Sequence, residues 1–478
     1  HVRSRRQRQM CIRDRLYLFI ITFLIVCIGS IKAQELEVSK PLILAFRSQK
    51  AKVKGGEKIN FLALYALPNG TQMAEERWSY RPLFLNEEYV VFEKPEVLFA
   101  PGQYEIALQI KDSHEIWSEP ALTYITVSKN CSQSEVAYMA QKNIKGAKFN
   151  LFGTENYRLY KKITGTRDGV VSGKLIISDS PEKVKEKGIL YEGISNGTGR
   201  LLMHHLHDMK DDKDYRMMIL VTNLSKEKQR VCINNYAIKG PSEDVLYVGE
   251  QLLLDYWDNQ TREVVYDLPA GQTGIIYKQE LPWKRGDALS SYIDFHTEDK
   301  VKWQVLCVEN GDNFETYRHY CAKDQHIRGT FETMKKIYYI DLDTELAYFS
   351  IGEGMEEFLI GFDEVLGKEV YNKGNFGMEY ELHLKAVKDT FVVFNPRGDV
   401  FRGALMWNGK VYAMPNKGCL KGKGEASFLG EIQEGEEAIV KYILPNGSSA
   451  PVLFVFVPQN NLEKMSILKE ICKAYKPF

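Results

Sequence analysis

Short runs of residues that alternate between apolar and polar side chains recur along the whole chain. Examples are KINFLALYAL, YEIALQIKD, MMILVTN, GIIYKQEL, FVVFN and VLFVFVP, with Gly, Pro, Asn and Asp between them. A period of two places successive side chains on opposite faces of an extended chain, and closely spaced runs of this kind are typical of antiparallel sheets. The pattern therefore predicts an all-β protein whose sheets pack face to face.

Helical spacing is confined to two stretches. The first, PSEDVLYVGEQLLLDYWDN, has Ser242 as its predicted N-cap. Its apolar residues at helical spacing are Val245, Val248, Leu252 and Tyr256. The second, NNLEKMSILKEICKAY, predicts a C-terminal helix within residues 459–478. We expect each helix to lie across a sheet or to close the end of a domain.

The segment DRLYLFIITFLIVCIGSIKAQE is built like a secretory signal peptide. Basic residues precede an almost unbroken apolar run from Leu16 to Ile31, and Ala33 provides a small residue at the cleavage point. The run is short for a bilayer span of about 20 residues. We therefore predict a signal peptide at residues 1–33, a location outside the cell or in its envelope, and no transmembrane span beyond the leader. Within it, RQMCIRDR resembles translated sequencing adapter, so we expect residues 1–15 to be an artefact.

Removal of the leader changes the charge balance. The whole chain has 63 basic and 63 acidic residues, and residues 1–33 contain seven Lys or Arg and one Asp. The remainder therefore has 56 basic and 62 acidic residues, a net charge of −6. A mildly acidic chain lacks the basic surface that nucleic acids and anionic lipids require. Nucleic acid is therefore not expected as a partner.

The cysteines do not form a recognisable metal or redox motif. Six lie beyond the leader, at Cys131, Cys232, Cys307, Cys321, Cys419 and Cys472. None belongs to a C-x-x-C pair, which excludes a zinc ribbon or a thioredoxin-like motif. Export would permit disulfides, but spacing does not choose among the possible pairings. Cys307 alternates in step with Trp303 and Val305, which predicts a buried thiol.

Residues 37–128 resemble the PKD-type immunoglobulin-like module of surface proteins. The resemblance is carried by the turn at Pro101 and Gly102 before an aromatic strand, and by Trp78 in RWSY. In that strand the residues predicted to share a face are Tyr104, Ile106, Leu108 and Ile110. The resemblance implies a small sandwich that serves as a spacer or adhesion unit.

Residues 151–458 resemble a group of secreted bacterial proteins, mostly from Gram-positive lineages, that often carry a copper amine oxidase N-terminal-type domain. The matching pieces include GRLLMHHL, GPSEDVLYVGEQ, HIRGTF, NKGNFG, FNPRGDVFRGA and NGKVYAMP. The resemblance implies a lineage and no particular activity. The fold prediction is thus an immunoglobulin-like sandwich, a linker over 129–150, and β-sandwich domains at 151–326 and 327–458.

The run GRLLMHHLHDM raises the question of a metal site. On a strand, His205 and His207 share one face, whereas His204 lies on the other. Two histidines at positions i and i+2 can bind a transition metal when other ligands join them. His205 and His207 are therefore candidate metal ligands, against the simpler interpretation that the histidines of this strand face solvent or a sheet edge. No cofactor is predicted.

Sequence motifs do not identify a catalytic centre. The chain lacks an H-E-x-x-H helix, a Walker loop and a G-x-G-x-x-G loop after a strand. Exposed aromatic rings can instead stack on the C–H faces of sugars. Trp407, beside an Asn-Gly turn, and Trp117 are the candidate binding residues.

Two hypotheses about function follow. The first is a secreted or cell-surface bacterial protein, binding or structural rather than enzymatic, that contacts an extracellular glycan or protein partner. The second is a secreted hydrolase that acts on polysaccharide through a carboxylate pair, which the sequence alone does not identify among 62 acidic residues.

Overall fold

The computed structural model describes residues 39–84, 90–133, 135–142, 144–150, 157, 160–258, 263–422 and 424–459. The predicted signal peptide and all of the predicted C-terminal helix after Gln459 lie outside these residues. The described chain divides into two compact units, at residues 39–132 and 133–459.

The first unit consists of two small sheets that pack face to face. Its strands are β1 (Leu42–Ser48), β2 (Lys52–Gly55), β3 (Phe61–Ala66), β4 (Met73–Pro82), β5 (Gly102–Asp112) and β6 (Ala121–Cys131). One sheet is β1–β3 and the other is β2–β6–β5–β4. Trp78 joins them, since its ring lies 5.5 Å from that of Phe46 and 5.1 Å from that of Phe61.

The core of the first unit follows the predicted alternation. Tyr104, Ile106, Leu108 and Ile110 are all buried, and the residues between them are partly exposed. Gly102 begins this strand with a φ of 150°, and a Cβ there would lie 2.2 Å from the ring of Phe84. Glycine is therefore required at the turn, whereas the assignment to the PKD family stays a prediction.

The second unit has two helices among the described residues, α1 (Glu135–Lys142) and α2 (Val245–Tyr256). Its first strands are β7 (Lys148–Asn150), β8 (Lys161–Lys162), β9 (Thr166–Ser178), β10 (Lys183–Val184), β11 (Gly188–His207), β12 (Tyr215–Asn223), β13 (Gln229–Ser242), β14 (Val264–Leu268), β15 (Thr273–Lys278) and β16 (Ala288–Glu309). The remaining strands are β17 (Arg328–Leu342), β18 (Ala347–Ile351), β19 (Leu359–Asp363), β20 (Lys368–Asn372), β21 (Glu379–Ala386), β22 (Thr390–Pro396), β23 (Val400–Phe401), β24 (Gly403–Trp407), β25 (Lys410–Met414), β26 (Leu420–Lys421), β27 (Glu425–Ile432), β28 (Glu437–Tyr442) and β29 (Val452–Pro458).

Most strands of the second unit belong to two sheets. The larger has 15 strands and follows the path β14–β13–β16–β11–β9–β17–β21–β28–β24–β25. The smaller has the order β7–β27–β22–β29–β18–β8. Aromatic residues fill the space between them, as where Phe394 of β22 packs 6.0 Å from Tyr442 of β28. The prediction of an all-β protein of packed sheets with few short helices is confirmed.

Both sheets cross the position predicted as a domain boundary at 326/327. In the larger sheet β9 pairs with β17, and in the smaller one β7 pairs with β27 and β8 pairs with β18. Strands from before and after residue 326 thus form one compact unit. The predicted linker at 129–150 contains the end of β6, helix α1 and strand β7.

The N-cap of helix α2 lies two residues after the predicted one. Asp244 is the N-cap, and its carboxylate accepts the backbone N–H of Tyr247 at 2.9 Å. Ser242 instead ends β13, where its hydroxyl accepts the backbone N–H of Asp244. Val248, Leu252 and Tyr256 are buried as predicted. Among the described residues, no helix has both the length and the apolar character needed to cross a bilayer.

Among the cysteines that the structure describes, the free thiols include Cys232, Cys307, Cys321 and Cys419. Cys307 is fully buried and belongs to the same core cluster as Trp303 and Val305, which confirms the predicted burial. Burial also raises the pKa of this thiol, so it stays protonated.

Candidate functional site

The three histidines of strand β11 are all buried, so the expectation that they face solvent or a sheet edge is wrong. The reason is their place in the larger sheet. Strand β11 is central, with β16 paired on one side and β9 and β10 on the other. Both faces are covered as well, because core clusters pack against each of them.

His205, one of the two candidate metal ligands, uses both ring nitrogens within the protein. Its Nδ1 donates to the carbonyl of Pro181 at 2.8 Å, and its Nε2 pairs with the hydroxyl of Ser178 at 2.9 Å. Burial lowers the pKa of His205 to about 4, so the ring is neutral at physiological pH. A neutral ring with both nitrogens occupied has no lone pair left for a metal.

His207, the second candidate ligand, lies in a different environment. Its ring is perpendicular to that of Trp283 at 5.1 Å and lies 5.9 Å from that of Tyr215. Within the described parts of the chain, no group of three or more His, Cys, Asp or Glu side chains is arranged to hold a metal ion. The structure therefore does not assemble the predicted metal site.

His204 projects to the other face and approaches a group of carboxylates. Its Nδ1 contacts the hydroxyl of Ser290, and its Nε2 lies 3.9 Å from Glu182. The second carboxylate oxygen of Glu182 lies 2.9 Å from Nε2 of His326, whose Nδ1 is 3.1 Å from Asp324. Side chains from the segment after β9, from β11 and from the segment before β17 therefore meet at this point.

The pKa values of two carboxyls in this group are shifted in opposite directions. Burial, with the nearby charges of Glu182 and Asp324, raises the pKa of Asp179 well above its usual range. For Asp324 the effect of burial is outweighed by hydrogen bonds from His326, Ser180 and the backbone N–H of Glu182, and its pKa is lowered. A neutral acid beside an ionised one is an arrangement that acid–base catalysis can use.

Trp407, the first candidate for sugar stacking, belongs to the core. It precedes the Asn408–Gly409 turn between β24 and β25, but the residue is only 6% exposed. Its indole packs against Gly430, and the ammonium of Lys145 lies 5.0 Å from its ring centre. The expectation of an exposed ring at Trp407 is wrong, because β28 and β27 place the side chain inside the unit.

Trp117 of the first unit is partly exposed, but cations already occupy the space over its ring. The guanidinium of Arg77 lies 4.0 Å from the ring centre and the ammonium of Lys111 lies 5.3 Å from it. A sugar that stacks on the face covered by Arg77 would have to displace the guanidinium. The structure does not otherwise test this candidate, and Trp117 stays a prediction.

An exposed aromatic pair occurs on the larger sheet. Tyr339 of β17 and His383 of β21 are opposite each other in parallel strands, and their rings stack with centres 4.6 Å apart and an interplanar angle of 21°. Tyr339 is 46% exposed. His383 covers one face of the tyrosine ring, and the other face points towards β9, where the residue opposite is Thr166.

The alternation of β21 explains why this pair is at the surface. Tyr380, Leu382 and Leu384 point into the core between the sheets. Glu379, Glu381 and His383 therefore point the other way, and their exposure increases along the strand in that order. The outward side chains of β21 are therefore nearly buried at the start of the strand and exposed to solvent at the aromatic pair.

Charged groups beside the pair are fixed by one another. Glu381 accepts from Lys335 at 2.5 Å and from Nε2 of His383 at 2.8 Å, and Lys441 lies 3.4 Å away. Burial acts to raise the pKa of Glu381, but these contacts prevail and lower it to about 2. Glu381 is therefore an ionised acceptor that holds the His383 ring in place. We call Lys335, Tyr339, Glu379, Glu381, His383 and Lys441 the Tyr339 surface.

Sequence reasoning missed this surface. The period of two in EYELHLK indicates a polar face on β21, but it does not reveal which strand lies beside it. Tyr339 and His383 meet because β17 and β21 pair in parallel. The 36 residues between the end of β17 and the start of β21 contain strands β18, β19 and β20. Parallel pairing of this kind depends on contacts that local pattern does not encode.

Comparison with known proteins yields matches among solved structures alone. No protein family model and no curated protein matches the chain. One matching structure is a carbohydrate-binding module of the β-sandwich superfamily, with 12% identity over 56% of this chain and 98% of that one, at a TM-score of 0.15. Another is SGBP-B of Bacteroides ovatus, from a mixed-linkage glucan utilization locus and in complex with a heptasaccharide, with 10% identity over 56% of this chain and all of that one, at a TM-score of 0.14.

A third match is the α-L-rhamnosidase of Dictyoglumus thermophilum, with 12% identity over 88% of this chain and 49% of that one, at a TM-score of 0.14. TM-scores this low support no argument about a shared site or ligand.

Proposed function

We propose that this chain is a secreted or cell-surface carbohydrate-binding protein, and that the Tyr339 surface is its binding site. The observation that carries the proposal is the stacked and exposed pair of Tyr339 and His383. The face of the Tyr339 ring that His383 leaves uncovered, on the side of β9, is a flat apolar surface for the C–H groups of a sugar. Little conformational freedom is lost on binding, because His383 already holds the ring.

The polar part of such a site also needs fixed hydrogen-bonding groups. Glu381 is an ionised acceptor beside the rings, and Lys335 and Lys441 are donors in the same row. Sugar hydroxyls both donate and accept hydrogen bonds, so a ring flanked by both kinds of group suits them. The surface lies on three adjacent strands and is thus supported by the sheet rather than by a loop.

The test is retention of the full chain by soluble polysaccharides in affinity gel electrophoresis. Glucomannan, galactomannan and polygalacturonate are suitable probes. For any polymer that retards the wild type, Tyr339→Ala is expected to weaken binding at least about tenfold, which corresponds to about 1.4 kcal/mol for the lost ring.

Tyr371→Ala provides the matched control. Tyr371 is 44% exposed on the same sheet but lies on β20, away from the aromatic pair. Its replacement is expected to leave retention unchanged. Retention that survives Tyr339→Ala, or that Tyr371→Ala reduces equally, would refute the proposal, as would failure of all the polymers to retard the wild type.

A hydrolase remains the second candidate, favoured by the carboxyls near His204. Asp179 is held neutral, Asp324 is ionised, and Glu182 lies partly exposed between His204 and His326. If this group is catalytic, the protein releases reducing sugar from a polymer and Glu182→Gln abolishes the release. Binding without release would support the non-catalytic proposal.

A further inference from the structure

The two lysines and two glutamates of the Tyr339 surface form ion pairs with one another. Lys335 lies 3.3 Å from Glu379 and 2.5 Å from Glu381. Lys441 lies 3.8 Å and 3.4 Å from the same two carboxylates. Each ammonium is therefore shared between both carboxylates, and two positive charges cancel two negative ones within one row.

Among the side chains that the structure describes on this face, each lysine near the aromatic pair has a carboxylate partner, including Lys385, the next outward residue of β21, which lies 3.6 Å from Glu437. Both lysines of the Tyr339 surface already contact two carboxylates each, and Nε2 of His383 donates to Glu381. The carboxylate of a uronic acid would have to compete with Glu379 and Glu381 for these donors, and it would approach their negative charges at the same time. Uncharged hydroxyls meet no such repulsion and can bond to acceptors and donors alike.

We infer that the Tyr339 surface selects neutral polysaccharides and rejects acidic ones. The inference rests on the proposed carbohydrate-binding function and adds the chemical class of the ligand. Glu381 determines the selection, because it neutralises both lysines and also fixes the histidine. Removal of its charge should leave Lys335 and Lys441 with Glu379 as their only carboxylate partner in the row.

The experiment compares neutral and acidic probes on the full chain. Glucomannan and galactomannan are expected to retard the wild type, and polygalacturonate and alginate are not. Glu381→Gln is expected to gain retention by polygalacturonate, about threefold to tenfold over the wild type, as a few partly exposed charge contacts would supply. That gain should disappear as salt is raised.

Glu119→Gln is the control for net charge. It makes the same change in the first unit, where Glu119 pairs with Lys40 at 2.9 Å in a well-exposed position. This variant is expected to gain no retention by polygalacturonate. An equal gain in both variants would overturn the inference, because total charge would then explain the result.

The outcomes separate the inference from the proposed function. Equal retention of the wild type by neutral and acidic polymers, lost in Tyr339→Ala, would overturn the neutral-sugar inference and leave carbohydrate binding standing. Failure of every polymer to retard the wild type would overturn both. The wild-type comparison alone decides the selectivity, so the test holds even if Glu381→Gln does not fold.

Discussion

Acidification should weaken the second unit through Glu381. The pKa of this carboxyl falls from its usual 4.5 to about 2 in the folded chain, where Lys335 and His383 bond to it against the opposing effect of burial. A group with a depressed folded pKa stabilises the native state above its unfolded pKa. That contribution is lost as the pH falls from about 4.5 towards about 2, because the unfolded chain then takes up the proton first.

The change in pKa sets an upper limit on this loss of stability, and solvent screening lowers the expected value. At about 1.36 kcal/mol per pH unit, the change in pKa corresponds to about 3.4 kcal/mol. Glu381 is only 12% exposed, but the ammonium partners are 21% and 30% exposed, and solvent screens them. We therefore expect about 1–2 kcal/mol in the free energy of unfolding.

The assay is urea unfolding of the wild type and of Glu381→Gln at about pH 7, 4.5 and 3. The wild type should be more stable at pH 7 by the stated amount, and the difference should fall to less than half of that by about pH 3. Glu437→Gln removes an exposed carboxylate from the same face and should give a small difference at every pH. A difference between wild type and Glu381→Gln that is the same at pH 7 and pH 3 would refute the reasoning.

Three further outcomes are expected. Arg328→Met should lower the free energy of unfolding by about 3–5 kcal/mol, because the fully buried side chain of Asp363 loses its guanidinium partner, whereas Arg318→Met at an exposed position should change it little. Trp407→Ala should cost about 3–5 kcal/mol in the same urea assay, and stability equal to wild type would show that the ring is not a core residue. Added zinc should leave the unfolding midpoint unchanged, since both ring nitrogens of His205 are occupied; a rise would mean that a metal site exists.

Local alternation was sufficient to predict the strands and much of the core. The buried face of β5 and the burial of Cys307 both follow from a period of two. This works because alternation is a property of a few successive residues. It requires no knowledge of which other strand lies beside them.

The candidate site depended on information that alternation lacks. Histidines in β11 suggested an exposed polar edge, but the strand is central and each ring finds a partner or an aromatic neighbour inside the unit. Trp407 suggested an exposed ring beside a turn, but its indole packs against Gly430 of β27. Buried polar groups are stable when they are hydrogen-bonded, so polarity alone does not predict exposure.

The pairing of β7 with β27 affects how the protein is made. Lys148 lies opposite Ser427, so the first strand of the second unit finds its neighbour only when the ribosome has nearly completed that unit. At about 5–20 residues per second, the delay is roughly 15–55 s. Throughout that interval the growing polypeptide carries strands with unsatisfied edges, which invite aggregation with other nascent chains. The unfinished second unit is therefore exposed to aggregation until its last strands emerge.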